Sequence, residues 1–187
     1  MTDPRSAPPL IVVIGASGSG KSTIGAAIAD RLAIPFIDAD SLHPSRNIKK
    51  MQSGNPLTDD DRWSWLARVG VALAGAQATG MVVACSALKR SYRDAILAEA
   101  PLVLIVHLNG SKETLVSRLA GRSGHFMPSA LLDSQLAALE PLGAGEPGVV
   151  VNIEASVENV IAEVLNWIRQ VTSRPDRGLA APARLID

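Results

Sequence analysis

Cysteine is nearly missing from this 187-residue chain: Cys85 stands alone, so no internal disulfide can form and no paired-cysteine metal motif exists. A reducing compartment suits such a chain. An excess of charge of one sign is missing too, because 18 Lys and Arg balance 18 Asp and Glu. No global field therefore draws the protein to nucleic acid or to a membrane, and an anionic ligand must be held by local cations. That favours a small molecule over a polymer. Long hydrophobic runs are also lacking: the first, LIVVI at 10–14, is far shorter than a membrane span, and the MTDPRSAPP before it is too short and too polar for a signal peptide. The expectation is a cytoplasmic protein. There are no repeats and no low-complexity interior, and 47% of the residues are apolar, which suits one domain with a sizeable core.

Five short apolar runs stand out: LIVVI at 10–14, PFIDA at 35–39, MVVAC at 81–85, LVLIVHL at 102–108 and VVVNI at 149–153. Each is continuous rather than alternating, as expected of strands covered on both faces. Helical patterns lie between them, at 21–33, 59–79, 89–99, 111–121, 129–139 and 156–170. Alternation of strand and helix predicts an α/β fold, a five-stranded parallel sheet flanked by helices. Ligands of such a sheet sit beyond the C-terminal ends of the strands. Residues 10–170 read as the single domain, with 1–9 and 171–187 as flexible tails. The polar, glycine-bearing GRSGHFMPS at 121–129 reads as a mobile lid, with about 118–129 as its extent, or as an ordinary connector.

Directly after the first run comes GASGSGKS, residues 15–22, which matches G-x-x-x-x-G-K-S and leads into a helix. The glycines let backbone N–H groups turn inward around a phosphate, which meets the start of that helix. Lys21 reaches the β- and γ-phosphates, and the Ser22 hydroxyl suits Mg²⁺. A nucleotide triphosphate is implied; its fate is not. The third and fourth strands end in Cys85-Ser86 and His107-Leu108 rather than in a Walker-B acid, and there is no N-K-x-D guanine signature. The nearest acids are Asp38 and Asp40 on the second strand, which points to small-molecule kinases.

Two residues apart on a strand, Asp38 and Asp40 are expected to face the same way. Asp38 is assigned to the metal side and Asp40 to the hydroxyl of the phosphate acceptor. His43, followed by Pro44, has two readings, a structural residue at a helix start or a substrate contact. Arg46, Lys49 and Lys50 form a solvated helix face from which Lys50 is the candidate ligand. Trp63 and Trp65 read as packing, and Cys85 as core. Arg118 and Arg122, four apart, share a helix face. They either close over the phosphates or form a solvated cationic helix end favoured by its dipole.

Together GASGSGKS, DADSLHPSRNIKKM, GNPLTDDDRWSWL, CSALKRSYRD and GRSGHFMPSALLDSQLAALEPL resemble, in order, the motifs of the gluconokinases, ATP-dependent gluconate kinases, over most of residues 10–170. The resemblance implies phosphorylation of D-gluconate at its 6-hydroxyl and a P-loop fold like that of adenylate and shikimate kinases. It puts Gly15, Ala16, Ser17, Gly18, Ser19, Gly20, Lys21 and Ser22 on ATP, and Asp40, His43 and Lys50 near gluconate. It also draws Arg62, Lys89 and Arg93 to the site. Lys89 has independent support, since it follows the third strand and so emerges at the ligand edge. His125, in the lid segment, is grouped with the substrate contacts. The implied partners are a small molecule and Mg-ATP, with no nucleic acid and no membrane; a homodimer is left open. Another small-acceptor kinase such as shikimate kinase is the alternative, although CSALK replaces the glycine triplet expected there. A nucleotide-binding switch without an acceptor is a further one.

Overall fold

The structure, a computed structural model, describes residues 7–121, 129–173 and 184–185. Most of 1–9, residues 122–128 of the proposed lid and most of the C-terminal stretch lie outside the described residues. The five apolar runs form β1 (Leu10–Ile14), β2 (Phe36–Asp38), β3 (Met81–Ala84), β4 (Val103–Asn109) and β5 (Gly148–Asn152), all parallel, in the order β2-β3-β1-β4-β5. A two-residue strand, β6 (Arg184–Leu185), pairs in parallel with β5 and extends that edge. Among the described residues the helices are α1 (Lys21–Leu32), α2 (Ser45–Gln52), α3 (Asp59–Gly75), α4 (Arg90–Glu99), α5 (Lys112–Ala120), α6 (Ser129–Ala138) and α7 (Val157–Thr172). None is long and apolar enough to cross a membrane.

The central strand shows why these sequences carry no polar alternation. On β1, Ile11 and Val13 point into a core shared with Ile24 and Ile28 of α1, Leu115 of α5 and Val164 and Ile168 of α7. Leu10, Val12 and Ile14 point the other way, against Leu66, Val69 and Leu73 of α3 and Ile96 of α4. Both faces of the strand are thus lost to water, and an apolar residue is favoured at every position. His107 of β4 is the polar intruder. It pairs with Ile14 in register and is 3% exposed. Burial, aided by the Arg93 charge against the smaller pull of Glu146, lowers its imidazole to about 4, so the ring is neutral.

Topology then selects one edge. From β1 the chain skips to β2 on one side, returns through β3, and crosses over β1 to β4. The C-terminal end of β1 is therefore a switch point, where the loops leaving neighbouring strands diverge and open a crevice. Residues 15–20 leave β1 at that point.

Candidate active site

The phosphate loop owes its shape to positions that exclude a side chain. Gly15 has φ 144°, and a Cβ there would lie 2.6 Å from the Leu108 carbonyl oxygen; at Gly18, with φ 84°, it would lie 2.8 Å from that of Leu115. Any other residue would push the loop off β4 and α5. Gly15 N–H donates to the Ser86 carbonyl, joining the loop to the end of β3. At the far end Gly20, φ 89°, precedes α1 without a side-chain cap, and no acid stands in that helix's first turn. By contrast Ser111 caps α5, Ser156 caps α7, and Thr58 with Asp61 forms a capping box on α3. The first N–H groups of α1 are left to an external anion.

Around that cradle, Lys21 Nζ donates to the Ala16 carbonyl at 3.1 Å. Ser22 Oγ donates to Asp38 Oδ2 at 2.8 Å, a hydroxyl and a carboxylate of the hard-oxygen kind that Mg²⁺ takes alongside phosphate oxygens. Asp38 and Asp40 do not share a strand face, because β2 ends at Asp38 and Ala39–Leu42 form a 3-10 turn. Asp38 caps this turn by accepting from Asp40 N–H at 3.1 Å. The carboxylates are thereby separated: that of Asp38 is directed at Ser22, whereas the Asp40 side chain is 89% exposed. Cys85 lies buried behind them, and burial pushes its thiol up to about 12, which removes it from nucleophilic chemistry.

The turn is clamped by a residue that sequence reasoning assigned only to packing. Trp65 donates its indole N–H to the Ala39 carbonyl at 2.7 Å and stacks on His43, with ring centroids 4.2 Å apart. His43 is 8% exposed. Burial lowers its pKa, with Asp40 opposing and Arg62 adding to the effect. Asn47 donates to the Asp61 carbonyl at 2.8 Å, and the same amide nitrogen lies 3.5 Å from His43 Nδ1. Since that nitrogen can only donate, the ring proton belongs on Nε2, which lies 4.0 Å from Asp40 Oδ1. His43 is thus both packed and aimed at Asp40.

The cations opposite the loop come already paired. Lys50 contacts Asp61 at 2.5 Å. Lys89 contacts Asp59 at 2.6 Å, Tyr92 donates its hydroxyl to the same carboxylate at 2.6 Å, and Arg62 lies 3.5 Å from it. Asp59 is held below the usual carboxylate range by Lys89 first and Tyr92 second; Asp61 is held down by Lys50 and by the Thr58 N–H and hydroxyl. Asp59, Asp61 and Tyr92 were not anticipated as part of this cluster. The signal was present in the acidic run that opens α3, which faces two lysines.

Arg93 requires a correction. It is 1% exposed and turned away from the cleft. Its Nε and Nη2 grip Glu146 at 2.5 and 3.0 Å, Nη2 also donates to the Pro141 carbonyl, and Nη1 reaches the carbonyls of Ala87, Leu88 and Glu140. All five N–H groups are committed, so none remains for a substrate carboxylate. Burial raises the Glu146 carboxyl, but Arg93 and the Gly143 N–H outweigh it and hold the group ionised. The pair fastens residues 140–146 against the loop after β3. On the opposite flank, Arg118 donates to the Ile153 carbonyl at 2.6 Å, with its guanidinium near Gly20. Arg122 and His125 lie outside the described residues.

The AAA domain family matches residues 10–142. The thermosensitive gluconokinase of Escherichia coli (strain K12) is 45% identical over 153 residues, covering 80% of this chain and 81% of that one. The crystal structure of a gluconokinase from Sinorhizobium meliloti 1021 superposes with a TM-score of 0.81 at 46% identity, covering 89% of this chain and 95% of the other. A shikimate kinase from Bacteroides thetaiotaomicron shares the fold alone, with a TM-score of 0.61 at 15% identity over 86% of this chain and 98% of that one. A P-loop kinase fold therefore accompanies 45–46% identity over most of the chain, and the chain belongs to the gluconokinase family.

Proposed function

We propose that the protein transfers the γ-phosphoryl group of ATP to the 6-hydroxyl of D-gluconate. The observation that carries this reading is the pairing of an uncapped phosphate cradle with an exposed carboxylate, Asp40, at the same sheet edge, beside a wall of cations. Phosphoryl transfer asks mainly for alignment and charge neutralisation. Gly15 to Ser22 hold the nucleotide, Lys21 neutralises the outer phosphates, and Ser22 with Asp38 fits a Mg²⁺ ion. Ser22 and Asp38 would hold Mg²⁺, which would offset charge developing on the phosphoryl group.

Asp40 accepts a hydrogen bond from the attacking hydroxyl, and the neutral His43, its proton on Nε2, restrains that carboxylate. Lys50, Lys89 and Arg62 offer the donors left over from their aspartates to the carboxylate at the other end of the substrate. Arg118 flanks the phosphates. Arg122 and His125 remain candidates for the lid side of the same site.

The test is kcat/KM with saturating Mg-ATP for gluconate, shikimate and glucose, together with NMR of the product. Gluconate should be strongly preferred and phosphorylated on its terminal carbon. Glucose leaves the donors of Lys50, Lys89 and Arg62 without an anion and should fail, since sites built for a polar group reject analogues lacking it by large factors. Shikimate keeps the anion but is too rigid to place its hydroxyl at the same separation. Equal use of shikimate, or phosphate elsewhere on gluconate, would overturn the substrate assignment.

A further inference from the structure

Ser17, the third residue of the phosphate loop, donates its backbone N–H to Gln135 Oε1 of α6 at 2.7 Å, across 118 residues of sequence. A backbone N–H can only donate, so the carboxamide oxygen must face it, and the amide's orientation is fixed. Its NH₂ group is consequently turned away from Ser17, and it makes no hydrogen bond among the described residues. We infer that this NH₂ is a ligand of the terminal phosphoryl group of the nucleotide. The inference rests on the reading that the cradle binds ATP.

Placement supports it. The inner phosphates belong at the uncapped start of α1, at Gly20 to Ser22. Ser17 lies on the opposite arm of the loop, so a donor beside it meets the outer end of the phosphate chain. Gln135 is not a loose surface side chain. Leu132, three residues earlier and on the same helix face, is 1% exposed and packs in the core cluster that contains Ala16 of the loop. An ion pair between Lys112 and Asp133, at 2.6 Å, ties α6 to α5. The carboxamide is thus half-buried and held by its own acceptor bond, so little order remains to be imposed when a phosphate arrives. A neutral donor also suits this place, beside Lys21, because it adds a hydrogen bond without adding charge.

The test is calorimetric binding of Mg-ADP and of a non-hydrolysable Mg-ATP analogue, without gluconate, to the wild type, Gln135→Met and Gln135→Glu. Met removes both acceptor and donor; Glu restores only the acceptor for Ser17. We expect Met to weaken the triphosphate analogue about tenfold more than ADP, the scale of a hydrogen bond to a charged group. Glu should return ADP affinity and melting temperature to wild-type values without returning analogue affinity. Equal weakening of both nucleotides by Met, or no weakening, would overturn the inference and leave Gln135 a brace for the loop. Because gluconate is absent from these measurements, failure of the substrate assignment would appear separately, as wild-type enzyme that binds nucleotide but does not turn gluconate over.

Discussion

On one side, α1 begins without a cap and without an acid in its first turn; on the other, α3 begins Asp59-Asp60-Asp61, and two of those carboxylates hold Lys50 and Lys89, the lysines proposed to bind the substrate. The first arrangement is an anion trap, with donors oriented before any ligand arrives. The second is compensated, so its cations attract a passing anion only weakly but stand at fixed positions. A nucleotide carrying several charges can be captured by field and backbone N–H groups alone. A sugar acid carries one charge and several hydroxyls, and a wall of paired acids and bases offers acceptors as well as donors to read them.

The largest expected effect breaks the trap. Lys21→Ala removes the cation at the outer phosphates while leaving the core untouched, so kcat/KM should fall by about 10² to 10³ or more with an unchanged melting temperature. Steady-state kinetics and thermal unfolding check it. Retention of near-normal kcat would sink the phosphate-loop assignment.

Next in size is a change on the compensated side that strikes the fold rather than the substrate. Arg93→Met strands a buried Glu146 carboxylate, and breaking one partner of such a pair costs about 3–5 kcal/mol, a fall in melting temperature on the order of 10 °C for a chain of this size. KM for gluconate should change little in the protein that remains folded. Lys89→Met should do the reverse, raising KM with little loss of stability. Pairing Arg93→Met with Glu146→Leu should recover part of the stability, since two apolar groups leave no unpaired charge. A raised KM with no loss of stability in Arg93→Met would restore that residue to the substrate site.

Legibility in the sequence follows the same division. The strands stand out because burial on both faces leaves continuous apolar runs, and the phosphate cradle is visible because its glycines, lysine and serine are neighbours in the chain. The acceptor side is assembled from separate stretches and was read less well. Strand alternation put Asp38 and Asp40 on one face, but a hydrogen bond from Asp40 N–H to the Asp38 carboxylate ends the strand first. Arg93 was drawn to the site by the resemblance alone, and the acid that holds it, Glu146, lies 53 residues away. Its spacing from Ile96 on the buried face of α4 was the available warning. Gln135 had no local signal: only the close approach of α6 to the loop gives it a role.

The smallest expected effect tests the compensated wall itself. Asp59 receives Lys89, Tyr92 and Arg62, and removing its charge has two opposed consequences. A negative group beside the proposed site of the substrate carboxylate would be lost, which favours binding. Lys89, Tyr92 and Arg62 would also lose their common anchor, and a lysine on a flexible four-carbon stem must then be ordered by the substrate itself. The Asp59 side chain is 47% exposed, so water and salt screen its repulsion of the substrate strongly, whereas the anchor, made by direct contacts at 2.6 Å, is screened less. The second consequence should win. Asp59→Asn is expected to raise KM for gluconate by about two- to fivefold, the scale of an exposed ion pair, with kcat and KM for ATP unchanged. The effect should shrink in high salt, where the original pair is already weakened. Steady-state kinetics at two ionic strengths would check this, and a lowered KM would mean that Asp59 competes with the substrate for these cations instead of holding them for it.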